Sequence, residues 1–348
     1  MDCRVPKKVI YWTGIYSPEV EAVSKEIQLL QANFGGTIYG ISSQDFLRFS
    51  YKKKYFVHFN RPYRFATKLV PWFERKHDVS HIFHSFNNSY FLNTLNTKPI
   101  ILTGATGGEI LSPEKYQHIS FLVAESQTDY DKLITAGHSP SKVKLIYPCA
   151  DLPKADRTAV TCGQPGKFTV IFASSPFDCN YFEARGVHLL LKTALIMPEV
   201  DFYLLWRDWP RTVTEIKRLL GKENGYPNVH LVNENITNIS TWYQKGHCVV
   251  APFCTAELSK PCPNSVLEGL SLGKPALVST KVGIAKLIRD TGSGITFAPR
   301  PSALANSIRE LSAGYKSYAA NCVPTANKHF SRESFIKSYQ KLYDQALA

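Results

Sequence analysis

The amino-acid sequence predicts an α/β protein built as two Rossmann-like, doubly wound domains facing a cleft. Two observations carry this. Short β-branched or aromatic runs alternate with longer helical patterns in two successive series along the 348 residues, as consecutive βαβ units with parallel sheets require. Between the series lies a polar stretch rich in Pro and Gly, residues 151–167, composed as a linker is. The expected domains are therefore residues 1–151 and residues 152–329, followed by a C-terminal helix over 330–348.

In the first series the expected strands are residues 8–14, 36–42, 80–86, 99–104, 121–126 and 144–148. Between the first two, Val20, Val23, Ile27, Leu29 and Leu30 are spaced as one helical face. In the second series the strands are residues 169–174, 202–206, 229–232, 248–253, 275–279 and 294–297, with helical patterns such as 188–196 and 214–220 between them. Phe335, Ile336, Tyr339, Leu342 and Tyr343 form one apolar stripe on the last helix. Ligands of open parallel sheets bind beyond the carboxyl ends of the strands, so two facing sheets suit a two-substrate reaction.

Composition narrows the partners. With 44% hydrophobic residues the chain can bury a sizeable core, and its longest apolar runs are only strand-sized. The apolar run after Lys8 is too short for a signal-peptide core, which reads as a cytoplasmic protein, with peripheral contact at the membrane inner face as a further expectation. The eight cysteines form no C-x-x-C pair, so reduced thiols are expected and a structural zinc site is not. The net charge of +13 calls for an anionic partner. No zinc finger or RNA-recognition signature accompanies it, which argues against nucleic acid. The run Lys52-Lys53-Lys54 reads as a solvated loop or as an edge for an acidic acceptor or a membrane surface.

The segment Pro263-Asn264-Ser265-Val266-Leu267-Glu268-Gly269-Leu270-Ser271-Leu272-Gly273-Lys274-Pro275 reads as a complete helix. Asn264 is the expected N-cap, and Gly273 with Pro275 ends the element. The helix follows a strand, so its first turn lies near a strand's carboxyl end, with the backbone N–H groups of Ser265 and Val266 available to a phosphate. Glu268 lies one turn in, where a carboxylate suits a ribose diol. An ordinary capped helix with a solvent-facing Glu is the plain alternative.

From Phe253 to Phe297 the chain resembles the carboxyl domain of retaining family 4 glycosyltransferases (glycosyl transferases group 1) of the GT-B fold. The stretch Pro261 to Pro275 carries the likeness, with Val282-Gly283-Ile284 and Asp290-Thr291-Gly292-Ser293-Gly294 after it. The resemblance implies GT-B architecture and transfer of a sugar from a nucleoside diphosphate donor, with retention and no essential metal or other cofactor. The acceptor is unidentified, with acidic or lipid-linked molecules as candidates. It implies a ribose contact for Glu268, the second Glu of the family's E-x7-E motif, and diphosphate contacts for the amides of Ser265 and Val266. Arg185-Gly186 matches the basic residue and Gly that neutralise the donor phosphates. Gly14 matches the loop that meets donor and acceptor. The helix at the carboxyl end matches one that crosses back onto the amino domain.

Three positions depart from the family pattern. Lys260 replaces the first Glu of the motif, Ser174-Ser175 stands where an Arg is expected, and Ala105 stands where a His is expected. Lys260 could replace the missing positive charge or pair with an acidic donor sugar. A nucleotide-binding pseudoenzyme within a glycan-assembly complex is the alternative reading, and a sugar-nucleotide epimerase is a third. His84, at a strand end, is either a further candidate for the acceptor or the sugar, or a histidine satisfied within the fold. The Gly-rich stretch 103–109 reads as a flexible loop or an anion cradle, and Trp206-Arg207-Asp208-Trp209 as a lining for the nucleobase or as buried packing with a surface Arg.

Overall fold

The computed structural model describes residues 8–18, 21–42, 48–50, 55–59, 63–97, 99–150, 166–221, 225–234, 236, 238–256 and 260–348. The expected linker lies outside the described residues up to 165, as do Lys52, Lys53 and Lys54. The chain divides into two compact units, residues 1–148 with 333–348, and residues 149–332. Each is an α/β unit of the expected doubly wound class.

The first unit's sheet has eight strands among the described residues, in the order β3-β4-β2-β1-β5-β6-β7-β8. These are β1 (Val9–Thr13), β2 (Thr37–Ser42), β3 (Arg48–Ser50), β4 (Tyr55–Phe59), β5 (Val79–His84), β6 (Ile100–Gly104), β7 (Phe121–Ala124) and β8 (Val143–Leu145). All neighbours pair in parallel except β3 with β4. The central strands β1 and β6 are buried along their whole length, as strands covered on both faces must be. The pair β3 and β4 at one edge was not among the expected strands. The helix Ala22–Phe34 starts where Glu21 accepts from the Val23 amide at 3.1 Å and ends at Gly35, whose φ is 71°.

The last helix, Arg332–Leu347, belongs to this first unit from Glu333 onward. Its buried residues Phe335, Tyr339, Leu342 and Tyr343 are members of the stripe read from the sequence. A buried polar chain fixes it there. The Tyr343 hydroxyl lies 2.7 Å from His81 Nδ1, His81 Nε2 lies 2.8 Å from Thr103 Oγ1, and that oxygen lies 3.1 Å from the Tyr339 hydroxyl. His81 is wholly buried, and burial holds its pKa well below the usual imidazole value, so the ring is neutral. A neutral imidazole has one donor and one acceptor nitrogen, and two hydroxyl neighbours satisfy both.

The second unit's sheet is parallel throughout, in the order β11-β10-β9-β12-β13-β14. Its strands are β9 (Phe168–Phe172), β10 (Val200–Leu205), β11 (Val229–Val232), β12 (Cys248–Ala251), β13 (Ala276–Ser279) and β14 (Gly294–Phe297). One core cluster runs from Val170 and Phe172 through Phe202, Leu204 and Val250 to Leu304 and Ile308. Two glycines set distances that the site depends on. Gly269, in the helix Asn264–Ser271, lies so close to β12 that a Cβ would fall 2.6 Å from the Val249 side chain. Gly186 has φ 71°, and a Cβ there would fall 1.9 Å from the Pro252 carbonyl oxygen.

Two stability measurements check these contacts. Tyr343→Phe leaves a His81 nitrogen without its buried partner and is expected to cost about 1–2 kcal/mol in chemical denaturation. An unchanged midpoint would show that this bond does not hold the helix. Gly292→Ala, at a similar left-handed φ of 61° but facing only the yielding Asn321 amide, is expected to cost about 1 kcal/mol. Gly186→Ala adds a clash with backbone and is expected to cost roughly twice that or more. Equal costs would mean that the chain beside Pro252 gives way.

Candidate functional site

Parallel pairing of β9 with both β10 and β12 brings their carboxyl ends to one edge of the second sheet. The segments that leave those ends touch. Ser174 Oγ lies 3.0 Å from Ser265 Oγ in the first turn of the helix Asn264–Ser271. The Arg207 amide donates to Ser175 Oγ at 3.2 Å. The Cys254 amide donates to the Ala184 carbonyl at 2.8 Å, tying the chain before Arg185 to the loop after β12.

The helix starts one residue earlier than the sequence suggests. Pro263, not Asn264, is the N-cap, with φ −65°. The proline ring fixes that angle, and the Pro263 carbonyl accepts from the Val266 amide at 3.0 Å and the Leu267 amide at 3.4 Å. Asn264 is therefore the first helical residue, and the Val266 N–H is already engaged. The amides of Asn264 and Ser265 have no acceptor among the described residues and are the donors left to a ligand. Asn264 Oδ1 is likewise buried without a described hydrogen-bond partner. The helix ends as expected, at Gly273 with φ 72°.

Glu268 is partly buried and oriented from below. The Tyr243 hydroxyl donates to Glu268 Oε2 at 2.9 Å. Tyr243 is wholly buried, and burial, then the negative charge of Glu268, push its pKa far above the ordinary phenol value. It is thus a permanent donor, holding the carboxylate in one rotamer at the mouth of the helix.

Arg185 is the electrostatic centre of the edge. The close approach of Gly186 to Pro252 places its guanidinium over the Phe253 ring, 5.0 Å from the centroid. Burial, followed by the positive charge of Arg207, lowers its pKa to about 10. It stays protonated at neutral pH. Among the described residues no carboxylate pairs with it, and the group that most affects its charge after burial is a second cation. A desolvated cation beside another cation is relieved by an anion.

Lys260 is partly buried at the start of the loop Pro261-Cys262-Pro263, one loop ahead of the helix. Ser175, where the resemblance implies an Arg, carries a hydroxyl and no charge, and that hydroxyl accepts from the Arg207 amide. Trp206 does not line a base pocket. It is wholly buried and its Nε1 donates to Thr212 Oγ1 at 3.1 Å, so it belongs to the core, while Arg207 beside it is exposed.

In the first unit, Gly14 and His84 meet. A Cβ on Gly14 would fall 2.8 Å from His84 Nε2, so only glycine leaves room for the ring. The Ser85 amide donates to His84 Nδ1 at 2.8 Å, and burial lowers the pKa to about 4. The ring is neutral at physiological pH, and an accepting Nδ1 places its proton on Nε2. Ala105 is buried, its amide 3.0 Å from the His84 carbonyl. The neighbouring glycines serve close packing and not flexibility, because a Cβ on Gly104 would strike Phe86 and one on Gly108 would meet Ser85 and Asn87.

Among the described residues no three His, Cys, Asp or Glu side chains gather as metal ligands, and no helix is long and apolar enough to cross a membrane. Six described cysteines are free of disulfides, with Cys149, Cys248, Cys262 and Cys322 buried. Sequence reasoning missed Tyr243 altogether. It sits 25 positions from Glu268 in a short helix and carries no local signal.

Residues 181–313, a span holding Arg185, Arg207, Tyr243, Lys260 and Glu268, match the family model described as glycosyl transferases group 1. No curated protein matches the chain. Among solved structures, HepE of Anabaena in complex with UDP and glucose superposes with a TM-score of 0.71 at 17% identity, over 97% of this chain and 99% of its own. Sucrose-phosphate synthase of Thermosynechococcus elongatus gives 0.72 at 14% identity, over 97% and 99%. A glycosyltransferase of Rickettsia africae gives 0.69 at 16% identity, over 99% of each. At these identities the likeness shows the fold, which is that of the GT-B glycosyltransferases, and the family-model match spans both Arg185 and Glu268.

Proposed function

We propose that the chain is a glycosyltransferase that moves a sugar from a nucleoside diphosphate donor to an acceptor, with retention at the anomeric carbon. The observation that carries this is Arg185, a desolvated guanidinium over the Phe253 ring with no carboxylate partner among the described residues. The diphosphate supplies the missing counter-charge. The amides of Asn264 and Ser265 donate to it, and Glu268, held by Tyr243, accepts from the ribose hydroxyls.

In this reading negative charge builds on the diphosphate as the glycosidic bond breaks, and Arg185 stabilises it without a general acid or a protein-held metal ion. Lys260 serves the donor sugar, where a carboxylated or otherwise acidic hexose would suit its charge. His84, with its Nε2 proton over Gly14, is assigned to the acceptor side in the first unit. An acidic or lipid-linked acceptor at a membrane surface suits the net charge of +13. HepE has been crystallised with UDP and with UDP-glucose, which makes UDP-sugars the first donors to test.

A thermal-shift and hydrolysis panel of UDP-, GDP-, ADP-, CDP- and TDP-sugars is the test. At least one donor is expected to raise the melting temperature and to be slowly consumed, and Arg185→Met is expected to weaken its binding roughly 10- to 100-fold. No shift with any donor would overturn the reading, and binding without consumption would turn it into a pseudoenzyme. Lys260→Glu is expected to weaken the sugar nucleotide more than the free diphosphate. Unchanged or tighter binding would remove Lys260 from the donor site.

A further inference from the structure

The position that carries an Arg in the family pattern is Ser174-Ser175 here, so the edge has one cation fewer than the resemblance implies. The structure brings another to the same place. Arg207 leaves β10, the strand beside β9, two residues after its end. Its amide donates to Ser175 Oγ at 3.2 Å, one residue from Ser174, whose hydroxyl touches Ser265 in the first turn of the helix.

The backbone beneath it is fixed on several sides. The Trp206 amide donates to the Val232 carbonyl at 2.8 Å, the Trp209 amide donates to the Arg207 carbonyl at 2.8 Å, and Asn233 Nδ2 donates to the Trp206 carbonyl at 3.1 Å. Below, the Trp206 ring is locked in the core. An exposed guanidinium thus stands on a rigid base. Its charge acts on Arg185 on one side and on the Tyr243 phenol that holds Glu268 on the other.

We infer that Arg207 is the second phosphate-binding cation of this chain, supplied from the end of β10 to the place vacated at Ser174-Ser175, where it grips the donor diphosphate together with Arg185. This rests on the nucleotide reading proposed above. It assigns Arg207 to the phosphates and not to the base. The hydroxyl of Ser175 becomes the group that anchors the replacement.

The test compares the affinities of the best-binding nucleoside diphosphate and of its uncharged nucleoside, by calorimetry for the first and saturation-transfer NMR for the second. In the wild-type protein the diphosphate binds far more tightly. Arg207→Ala is expected to reduce the diphosphate-to-nucleoside affinity ratio by about tenfold or more. Arg207→Lys is expected to keep most of the ratio, because the charge remains. The melting temperature without ligand is expected to stay unchanged, since the side chain is exposed. A ratio unaltered in Arg207→Ala, whether both ligands weaken equally or neither does, would overturn the assignment and leave the nucleotide site standing. A wild-type protein that binds no diphosphate would overturn the nucleotide reading itself, and this inference with it.

Discussion

The parallel pairing of β9 with two partners, β10 on one side and β12 on the other, is the constraint from which the second unit's chemistry follows. Strands that run the same way end on the same edge, so segments far apart in sequence leave the sheet side by side. Ser174, Arg207 and Phe253 become neighbours for this reason alone. Glycine then sets how near the segments come. Without a side chain at 186 or 269, backbone settles on the Pro252 carbonyl and on Val249 at distances that no Cβ allows. The helix Asn264–Ser271 and the Arg185 segment are thereby seated with little freedom.

Charge at that edge is arranged asymmetrically. Glu268 has a buried phenol beneath it, whereas Arg185 has an aromatic face and a second arginine. The carboxylate is oriented by a neutral donor that leaves its charge intact, and the guanidinium is enclosed with nothing among the described residues to neutralise it. In the proposed reading such an edge would discriminate between the two ends of a nucleotide, with hydroxyls at the acid and phosphates at the bases. Where the resemblance implies an Arg and the sequence has Ser174-Ser175, the neighbouring strand brings Arg207, whose backbone amide donates to the Ser175 hydroxyl.

Much of the fold was legible because parallel strands buried on both faces write continuous apolar runs, as in β1, β6 and β12. Turn chemistry was legible at Gly273 for the same local reason. The start of the following helix was misread by one residue, since Asn264 has the side chain of an N-cap while Pro263 has the fixed φ and the accepting carbonyl. Trp206 was left open between a pocket lining and buried packing because an aromatic at a strand end suits both, and its burial with the Thr212 hydroxyl decides for the core. The pairs Tyr243–Glu268 and Ser174–Ser265 could not be read at all. They depend on sheet order, which brings together residues 25 and 91 positions apart. Arg185 and Glu268 were found through likeness to a family, and their partners only through geometry.

The bond between His81 and Tyr343 spans 262 positions, and it bears on the order in which the chain can fold. The first unit is interrupted by the whole of the second and resumes only at residue 333. A ribosome that has released the first 148 residues has not yet made the hydroxyls that His81 and Thr103 require. The central strands must therefore wait, with a polar face uncovered, while the second unit is synthesised and collapses on its own local contacts. Covering of the first sheet thus follows synthesis of the second unit, and a ribosome stalled before residue 333 leaves His81 and Thr103 without the hydroxyls they require.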